Sequence, residues 1–333
     1  MTGKRAHRRQ RPVDRLRPFF AAGIALLVVT AVIYEFANIR NGDRARDDGS
    51  SSSLAGTAAA LNYSASQRVV SGVSLKRLPP KVCTPEVVTE SLTVVGFNIK
   101  SRITNVADIL AASGADIVLL QEVDKFRANS RYLDQAGYVG AQLEMANAFG
   151  ANVLRGRNRF GTSQYGTAIL SKYPIVSATN THLPNARGGQ QRGLLHVVVD
   201  VNGIELSIYN THLQNKMEAL RVRQMGAITP VLAADPNPLI IGGDFNATPR
   251  SRPLQMAFSV VSDPWASGVG VGSSLTHPSV RPRGRIDYLL HGGPGLEPTR
   301  ADVLTRTPSD HRAVRTSYEL TGEVGEVCSR PTT

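Results

Sequence analysis

The sequence is poor in cysteine, with only two among its 333 residues. A cysteine cage for structural zinc is therefore excluded, and no His-Glu-x-x-His pattern indicates catalytic zinc. Cys83 precedes the first convincing strand pattern, and Cys328 follows the last one. Because two thiols that flank a domain outside the cytosol favour a disulfide, we predict a bridge between Cys83 and Cys328. Two unpaired thiols are the alternative.

Aromatic residues are also scarce, at 6% of the chain, and no run of them alternates with basic residues. A stacking platform for bases, and with it specific reading of a nucleic acid, is therefore not expected. Arg155, Arg157 and Arg159 alternate with Gly156 and Asn158, which predicts a basic loop. That loop either grips phosphate groups or is a solvated surface.

Negative charge is the third shortage, since 26 acidic residues face 38 basic ones and leave a net charge of +12. Residues 1–40 hold eight Lys and Arg against Asp14 and Glu35, so +6 lies there and +6 in the remainder. We predict a basic cytoplasmic tail over residues 1–17 and a transmembrane signal anchor over residues 18–37, because an uncharged run follows the positive flank. A cleaved signal peptide is the alternative, although no Ala-x-Ala-like site follows the run.

Residues 38–81 are rich in Asp, Arg, Gly, Ser and Ala. Such a composition has little apolar surface to bury, so it predicts a flexible linker between the anchor and a domain over residues 82–330. The positive flank stays in the cytoplasm, which gives a single-pass protein of the cell membrane with its domain outside the cytoplasm. We expect no obligate protein partner.

Strand and helix patterns alternate in the first half of this domain. Buried strands over residues 92–98 and 115–120 enclose a segment with one apolar helical face. Asn202-Gly203 between two alternating segments predicts a hairpin, which contradicts an all-parallel sheet. An α/β sandwich of two packed sheets with helices outside therefore fits better than a doubly wound sheet.

Polar residues follow or close several of the predicted strands. They are Asn98, Glu122, Asn210, His212, Asp244, Asn246, Asp287, Asp310 and His311. Hard oxygen ligands on separate strand ends suit Mg²⁺, or Mn²⁺ or Ca²⁺, and Mg²⁺ commonly relies on few carboxylates, waters and a substrate phosphate. The pattern therefore indicates a site for Mg²⁺ or a similar cation.

Seven short segments occur in an order that resembles the endonuclease/exonuclease/phosphatase superfamily, which includes deoxyribonuclease I, neutral sphingomyelinases and inositol-polyphosphate phosphatases. The segments are Phe97-Asn98-Ile99, Gln121-Glu122-Val123-Asp124, Tyr165-Gly166-Thr167-Ala168-Ile169-Leu170-Ser171, Asn210-Thr211-His212-Leu213, Gly242-Gly243-Asp244-Phe245-Asn246, Arg285-Ile286-Asp287-Tyr288 and Ser309-Asp310-His311-Arg312. The resemblance implies a four-layer α/β/β/α sandwich with two central mixed sheets. It also implies metal-dependent hydrolysis of a phosphoester by the domain over residues 82–330.

The resemblance implies a role for each matched residue. Glu122 is expected to be the principal metal ligand, with Asn98 and Asp310 in the metal region. Asp244 is expected to orient or deprotonate the attacking water, and Asn246 to bind a phosphate oxygen. The remaining expected site residues are His212 and His311 facing the phosphate, Asp287 fixing the tautomer of His311, and Asn210 and Arg192 contacting the substrate phosphate.

Three functions remain open from the sequence. The first is a phosphodiesterase of nuclease type, which the positive charge of the domain favours. The second is a phosphatase or phospholipase-C-like enzyme on lipid or sugar phosphates, which a membrane tether favours. The third is a non-catalytic phosphate-binding module. His182, His277 and His291 are expected to be structural or peripheral.

Overall fold

The computed structural model describes residues 82–329, in which eleven strands form two mixed sheets. In spatial order, the first sheet contains β10 (Leu296–Val303), β11 (Val314–Ser329), β1 (Val82–Asn98), β2 (Ile117–Lys125), β4 (Gly161–Ser171) and β3 (Ala146–Asn158). The second contains β5 (Ile175–His182), β6 (Gly193–Val201), β7 (Ile204–His212), β8 (Leu239–Asp244) and β9 (Asp287–Gly292). Each sheet has one parallel pair, β1 with β2 and β7 with β8, among antiparallel neighbours.

Four α-helices flank the sheets in the described part of the chain. They are α1 (Val106–Ser113), α2 (Gln135–Leu143), α3 (Glu218–Ala233) and α4 (Arg252–Ala257). The first two pack on the outer face of the first sheet, where Val106 and Val139 join its buried residues. The other two pack on the outer face of the second sheet through Ile228 and Leu254. The order of layers is therefore helix, sheet, sheet, helix.

Strand alternation separates the core into layers because successive side chains point to opposite faces. In β8, Ile240 packs between the two sheets, whereas Leu239 and Ile241 pack against the helices. In β1, Val94 faces the other sheet and Val95 faces the outer helices. Both strands are buried on both faces, as their near-continuous apolar sequences indicate.

The predicted hairpin at Asn202-Gly203 is confirmed, because β6 and β7 pair antiparallel around it. The predicted loop around Arg155, Arg157 and Arg159 is wrong. Residues up to Asn158 belong to β3, which forms an antiparallel hairpin with β4 that turns at Arg159 and Phe160.

The predicted tail, anchor and linker, residues 1–17, 18–37 and 38–81, lie outside the described residues. Among residues 82–329, no helix combines the length and the apolar composition needed to cross a membrane. The antiparallel register of β1 and β11 sets Cys83 opposite Cys328.

Candidate active site

The candidate site lies where polar residues replace apolar ones on the inner faces of both sheets. In β7, Leu206 and Ile208 pack between the sheets, and His212 follows on the same face. Asp244 continues the inner face of β8 after Ile240 and Gly242 in the same way. Asn98 ends β1, and Asp287 begins the antiparallel β9 opposite Asp244. The strand ends therefore bring these polar residues to one edge of the sandwich.

Asn98 joins the two central carboxylates. Its side-chain nitrogen donates to Glu122 Oε1 at 3.2 Å and to Asp244 Oδ2 at 3.0 Å. Its side-chain oxygen accepts the backbone N–H of Lys100 at 3.1 Å, which fixes the orientation of the amide. Through this nitrogen Asn98 bridges the Glu122 and Asp244 carboxylates, and its expected place in the metal region stays a prediction.

Glu122 reaches the site through an irregularity in β2. The register between β2 and β4 shifts between Leu120 and Val123, and Glu122 has a φ of 57°. This left-handed backbone conformation costs free energy for any residue other than glycine, and it persists only where the surrounding structure enforces it. The bulge turns the Glu122 carboxylate into the cavity that Asp244 and His311 also line.

Asp244 is held by close backbone packing before it. Gly243 has a φ of 137°, and a Cβ atom there would collide with the carbonyl oxygen of Thr211, so glycine is required. Asp244 Oδ1 accepts the backbone N–H of Asn246 at 2.9 Å. Burial, and then the nearby Asp287 carboxylate, raise the pKa of Asp244 to about 7, although His311 and the N–H donors oppose them.

Arg192 fixes the tautomer of His212. The Arg192 guanidinium donates to His212 Nδ1 at 3.0 Å, so Nδ1 accepts and the ring proton lies on Nε2. His212 Nε2 lies 3.4 Å from Asp244 Oδ2. Burial, followed by the charges of Arg192 and His311, holds the pKa of His212 well below its usual range. His212 is therefore a neutral imidazole with an N–H facing the carboxylate.

His311 has the opposite protonation. Its Nδ1 lies 3.0 and 3.1 Å from the two oxygens of Asp287, and its Nε2 lies 3.8 Å from Asp244 Oδ2. Burial lowers the pKa of His311, but Asp287 and then Asp244 outweigh it and raise the pKa to about 9. The site therefore contains one neutral and one charged imidazole beside the same carboxylate.

Lys100 is a site residue that sequence reasoning missed. Its ammonium group donates to Asp310 Oδ2 at 2.6 Å, and both residues line the cavity. The hydrogen bond to Asp310 is the largest influence that raises the pKa of Lys100. Asp310, expected as a metal-region carboxylate, therefore forms an ion pair with Lys100 in this structure. A lysine two residues after a strand-ending asparagine was the available signal.

The cavity has a volume of about 410 Å³ and a mainly polar wall. Its lining includes the predicted Glu122, Arg192, His212, Asp244, Asn246, Asp310 and His311, together with Lys100, Tyr165, Gln190, Asn215, His277 and Ile286. His277 corrects the expectation of a peripheral residue, because its ring centroid lies 4.6 Å from that of His311. His182 lies on the exposed end of β5, and His291 packs beside Tyr318, so neither joins the cavity lining.

Asn210 does not reach the cavity, and the expectation that it contacts substrate phosphate is wrong. Its side-chain nitrogen donates to the carbonyl oxygens of Leu120 and Ala168 at 2.9 and 2.8 Å. Its oxygen accepts from Gln121 at 2.8 Å. Every hydrogen-bonding site that a substrate would need is therefore used to join the two sheets.

Asn246 does line the cavity, but strand alternation does not place it there. β8 ends at Asp244, and Asn246 has a φ of 49°. One of its amide hydrogens is used by a bond of 3.1 Å to the carbonyl oxygen of Leu213, which leaves a second donor on the same nitrogen. The turn, rather than the strand, directs this side chain.

Two groups of residues in the described chain bring potential ligand atoms within 4.8 Å of one another. They are Asp244, Asp287 and His311, and His277, Asp310 and His311. Both depend on His311, whose Nδ1 lies against the Asp287 carboxylate and whose pKa is raised to about 9, so a cation there would have to displace a proton. Carboxylate oxygens, among them those of Glu122 in the cavity, are the hard ligands that Mg²⁺ prefers.

The model of the Endonuclease/Exonuclease/phosphatase family matches residues 95–311. Curated proteins show no match to the chain. Solved structures with a similar fold include an endonuclease/exonuclease/phosphatase from Bacteroides vulgatus at 19% identity and a TM-score of 0.57, covering 69% of this chain and 99% of that one.

Two further structures are similar at 22% identity. One is an endonuclease/exonuclease/phosphatase from Beutenbergia cavernae, with a TM-score of 0.55; the match covers 69% of this chain and 72% of that one. The other is truncated TDP2 from Caenorhabditis elegans, with a TM-score of 0.52; the match covers 68% of this chain and 97% of that one. These likenesses concern the fold. The family match spans more than half of the chain, which therefore belongs to the endonuclease/exonuclease/phosphatase family, whose members are generally metal-dependent phosphoester hydrolases.

Proposed function

We propose that the protein is a divalent-metal-dependent phosphodiesterase of nuclease type. The observation that carries this proposal is the convergence of Glu122, Asp244, His212 and His311 on one polar cavity. A cavity of about 410 Å³ accommodates a phosphate group together with a hydrated cation. The positive charge of the domain favours a polyanionic substrate.

The donor set fits a hard cation. Glu122 faces the cavity with only the Asn98 amide as its side-chain partner in the described chain, and the buried Asp244 bears a pKa raised to about 7. Burial and Asp287 keep the pKa of Asp244 raised despite the charged His311 nearby, so a cation bound here would offset negative charge that the chain leaves unbalanced. Glu122 would hold Mg²⁺, and Asp310, which pairs with Lys100, is a second carboxylate in the same cavity. When bound, the ion would neutralise charge on the phosphoryl oxygens.

The residues of the chain divide the proton chemistry between them. Asp244 accepts a proton from the attacking water, because a carboxylate with a pKa near 7 is a more effective base than an ordinary one. The N–H groups of His212 and His311 and the remaining amide hydrogen of Asn246 donate to phosphoryl oxygens as charge develops there. Tyr165 adds a hydroxyl donor, since burial and then the Glu122 charge raise its pKa.

The proposal is tested with the purified full chain in detergent, incubated with Mg²⁺, Mn²⁺ or Ca²⁺. The substrate panel contains plasmid DNA, single-stranded DNA, RNA, sphingomyelin and phosphoinositides. We expect cation-dependent cleavage of nucleic acid that EDTA abolishes and that Asp244→Asn lowers by orders of magnitude. Product from the lipids alone would replace the nuclease reading with the phosphatase or phospholipase-C-like one. No product from any substrate would favour the phosphate-binding module.

We also propose the single-pass anchor over residues 18–37 with residues 82–330 as the extracytoplasmic catalytic domain. The uncharged run after seven basic residues supports it. We expect the chain to stay with membranes after alkaline extraction and the domain to be digested by protease added to intact cells. Release by alkali, or full protection from that protease, would contradict the anchor or its orientation respectively.

The opposed positions of Cys83 and Cys328 in the β1–β11 register support the proposed bridge. We expect the chain to migrate faster on a denaturing gel without reductant than with it. Identical mobility, together with two titratable thiols in the denatured protein, would rule the bridge out.

A further inference from the structure

A surface at the tip of the β3–β4 hairpin remains outside the site described above. The exposed rings of Tyr132 and Phe160 stack with centroids 5.0 Å apart and an angle of 24° between planes. The Arg159 guanidinium lies 4.7 Å from the centre of the Phe160 ring. Arg155 and Arg157 are exposed on the adjoining strand. We call these five residues the hairpin platform.

Local hydrogen bonds hold the hairpin platform in place. The Asn158 side-chain nitrogen donates to the carbonyl oxygen of Phe126 at 2.7 Å, and the Asn158 oxygen accepts the backbone N–H of Phe160 at 2.9 Å. Gly161 has a φ of 136° and lies against the ring of Phe126, so the turn is fixed to the end of β2. Aromatic side chains that are fixed before binding lose little conformational entropy when a ligand stacks on them.

The positive charges of the hairpin platform are uncompensated. Lys125 and Arg127 nearby are paired with Asp134 and Asp124. Within residues 84–326, by contrast, no salt bridge involves Arg155, Arg157 or Arg159. Aromatic faces beside unpaired guanidinium groups are the combination that binds single-stranded nucleic acid.

The hairpin platform is connected to the catalytic cavity. Tyr165 lines that cavity, and the Arg127 guanidinium lies 5.3 Å from the centre of its ring. The carbonyl oxygen of Arg127 accepts the backbone N–H of Tyr132 at 2.8 Å, so one short segment joins the cavity wall to the stacked rings. Tyr165 also follows Gly161 by four residues along β4, which is about 13 Å of strand.

A second cavity, of about 260 Å³, lies beside this connecting segment. Its lining includes Ser101, Arg102, Ser130 and Arg131. Ser101 follows Lys100, which lines the catalytic cavity. Positive groups therefore continue from the catalytic cavity along the surface toward Tyr132. Repeated positive charges along a strip match a polymer with repeated phosphates better than the single phosphate of one lipid headgroup.

We propose that the hairpin platform binds a single-stranded segment of a polynucleotide substrate, whose bases stack on its exposed aromatic surface while its phosphates meet the arginines. This inference rests on the proposed nuclease function and names the form of its substrate. It also revises the expectation, drawn from composition, that the chain has no stacking platform. The two aromatic residues are 28 positions apart in the sequence, and only the fold brings them together.

Binding is measured with the full chain in detergent, with EDTA present, by fluorescence anisotropy of a labelled 20-nucleotide single strand. We expect the double variant Tyr132→Ala and Phe160→Ala to raise Kd roughly 5- to 150-fold. Tyr138→Ala is the matched control, because Tyr138 on α2 is 44% exposed, as is Phe160. An unchanged Kd in a folded double variant would overturn the inference, as would an equal loss in the control.

Salt dependence tests the arginines separately. Replacing Arg155, Arg157 and Arg159 by Gln should reduce the slope of log K against log salt concentration by about 2 for a single strand. An unchanged slope would remove these arginines from the binding surface. The companion measurement is trypsin cleavage after these three arginines in the wild-type protein in reconstituted liposomes. We expect the oligonucleotide to protect the arginines from cleavage. Protection by phosphatidylserine without oligonucleotide would overturn the inference in favour of a membrane contact.

Hydrolysis of bis(p-nitrophenyl) phosphate with Mg²⁺ separates this inference from the proposed function. That small diester carries a single phosphate and does not extend to the hairpin platform. Turnover of the diester together with the expected loss of oligonucleotide binding in the double variant supports both proposals. Turnover without that loss overturns the hairpin platform alone. Oligonucleotide binding without turnover of the diester or cleavage of nucleic acid overturns the hydrolase and leaves the binding surface intact.

Discussion

The charge of His311 depends on Asp287, and Asp287→Asn tests this dependence directly. Asparagine keeps the shape of the side chain and an oxygen that accepts from His311 Nδ1, but it removes the negative charge. Burial is the largest influence on His311 and lowers its pKa, so the raised value of about 9 depends on carboxylates, with Asp287 first among them.

Without the Asp287 charge, we expect the pKa of His311 to fall to the ordinary 6.5 or below. The change from about 9 corresponds to roughly 3 kcal/mol between the two protonation states. The interactions that raise the pKa of His311 contribute fully to the unfolding free energy below pH 6.5. This contribution is lost as the pH rises through about 9. In Asp287→Asn, the unfolding free energy should therefore lose this pH dependence between 6.5 and 9.

The assay is an NMR titration of the imidazole signals in metal-free protein, with His311→Gln used to assign the resonance. Asp302→Asn is the matched control, because Asp302 pairs with Arg315 and forms no bond with His311. We expect the control to keep a pKa of about 9. A His311 resonance that titrates at the same pH in Asp287→Asn would refute the reasoning.

Three further changes have definite outcomes. Glu122→Gln should weaken Mg²⁺ binding in calorimetry and lower turnover by orders of magnitude. The control Glu144→Gln, at an exposed position, should change neither quantity. Wild-type turnover of Glu122→Gln at saturating Mg²⁺ would reject Glu122 as the ligand. Lys100→Gln should tighten Mg²⁺ binding, because it frees Asp310 from its ion pair, and weaker binding would contradict this. Asn210→Ala should lower the unfolding free energy by about 3 kcal/mol in denaturant titration, because it leaves two buried backbone carbonyls and Gln121 without their partner. The control Asn129→Ala, at an exposed position, should cost little. Equal costs would argue against the buried hydrogen-bond network.

The sequence was sufficient to predict the strands that carry the site. Buried apolar runs such as residues 239–241 end in polar residues, and period-two alternation then sets Asp244 and His212 on inner faces. The sequence did not predict β3, because it mixes small and polar residues without a clear period, or β10, because it contains Pro298 and has few apolar residues. Packing against neighbouring strands, rather than local preference, decides such edge segments.

The side-chain hydrogen bonds of the site could not be predicted from the sequence, because they depend on the fold around each residue. Lys100 and Asn246 follow strand ends in left-handed conformations, so no periodicity gives their directions. The bond from Arg192 to His212 joins residues 20 positions apart, and the protonation of each histidine follows from such partners. Asn210 shows the converse, since a polar residue within a matched motif became a link between the sheets.

The central claim is that carboxylates and imidazoles from separate strands form one cation-assisted pocket around Glu122. Anomalous diffraction from crystals of the protein soaked in Mn²⁺ tests it most directly. We expect a peak beside the Glu122 carboxylate within the cavity, and its loss in Glu122→Gln. A peak between His277 and His311 that persists in that variant would contradict the account.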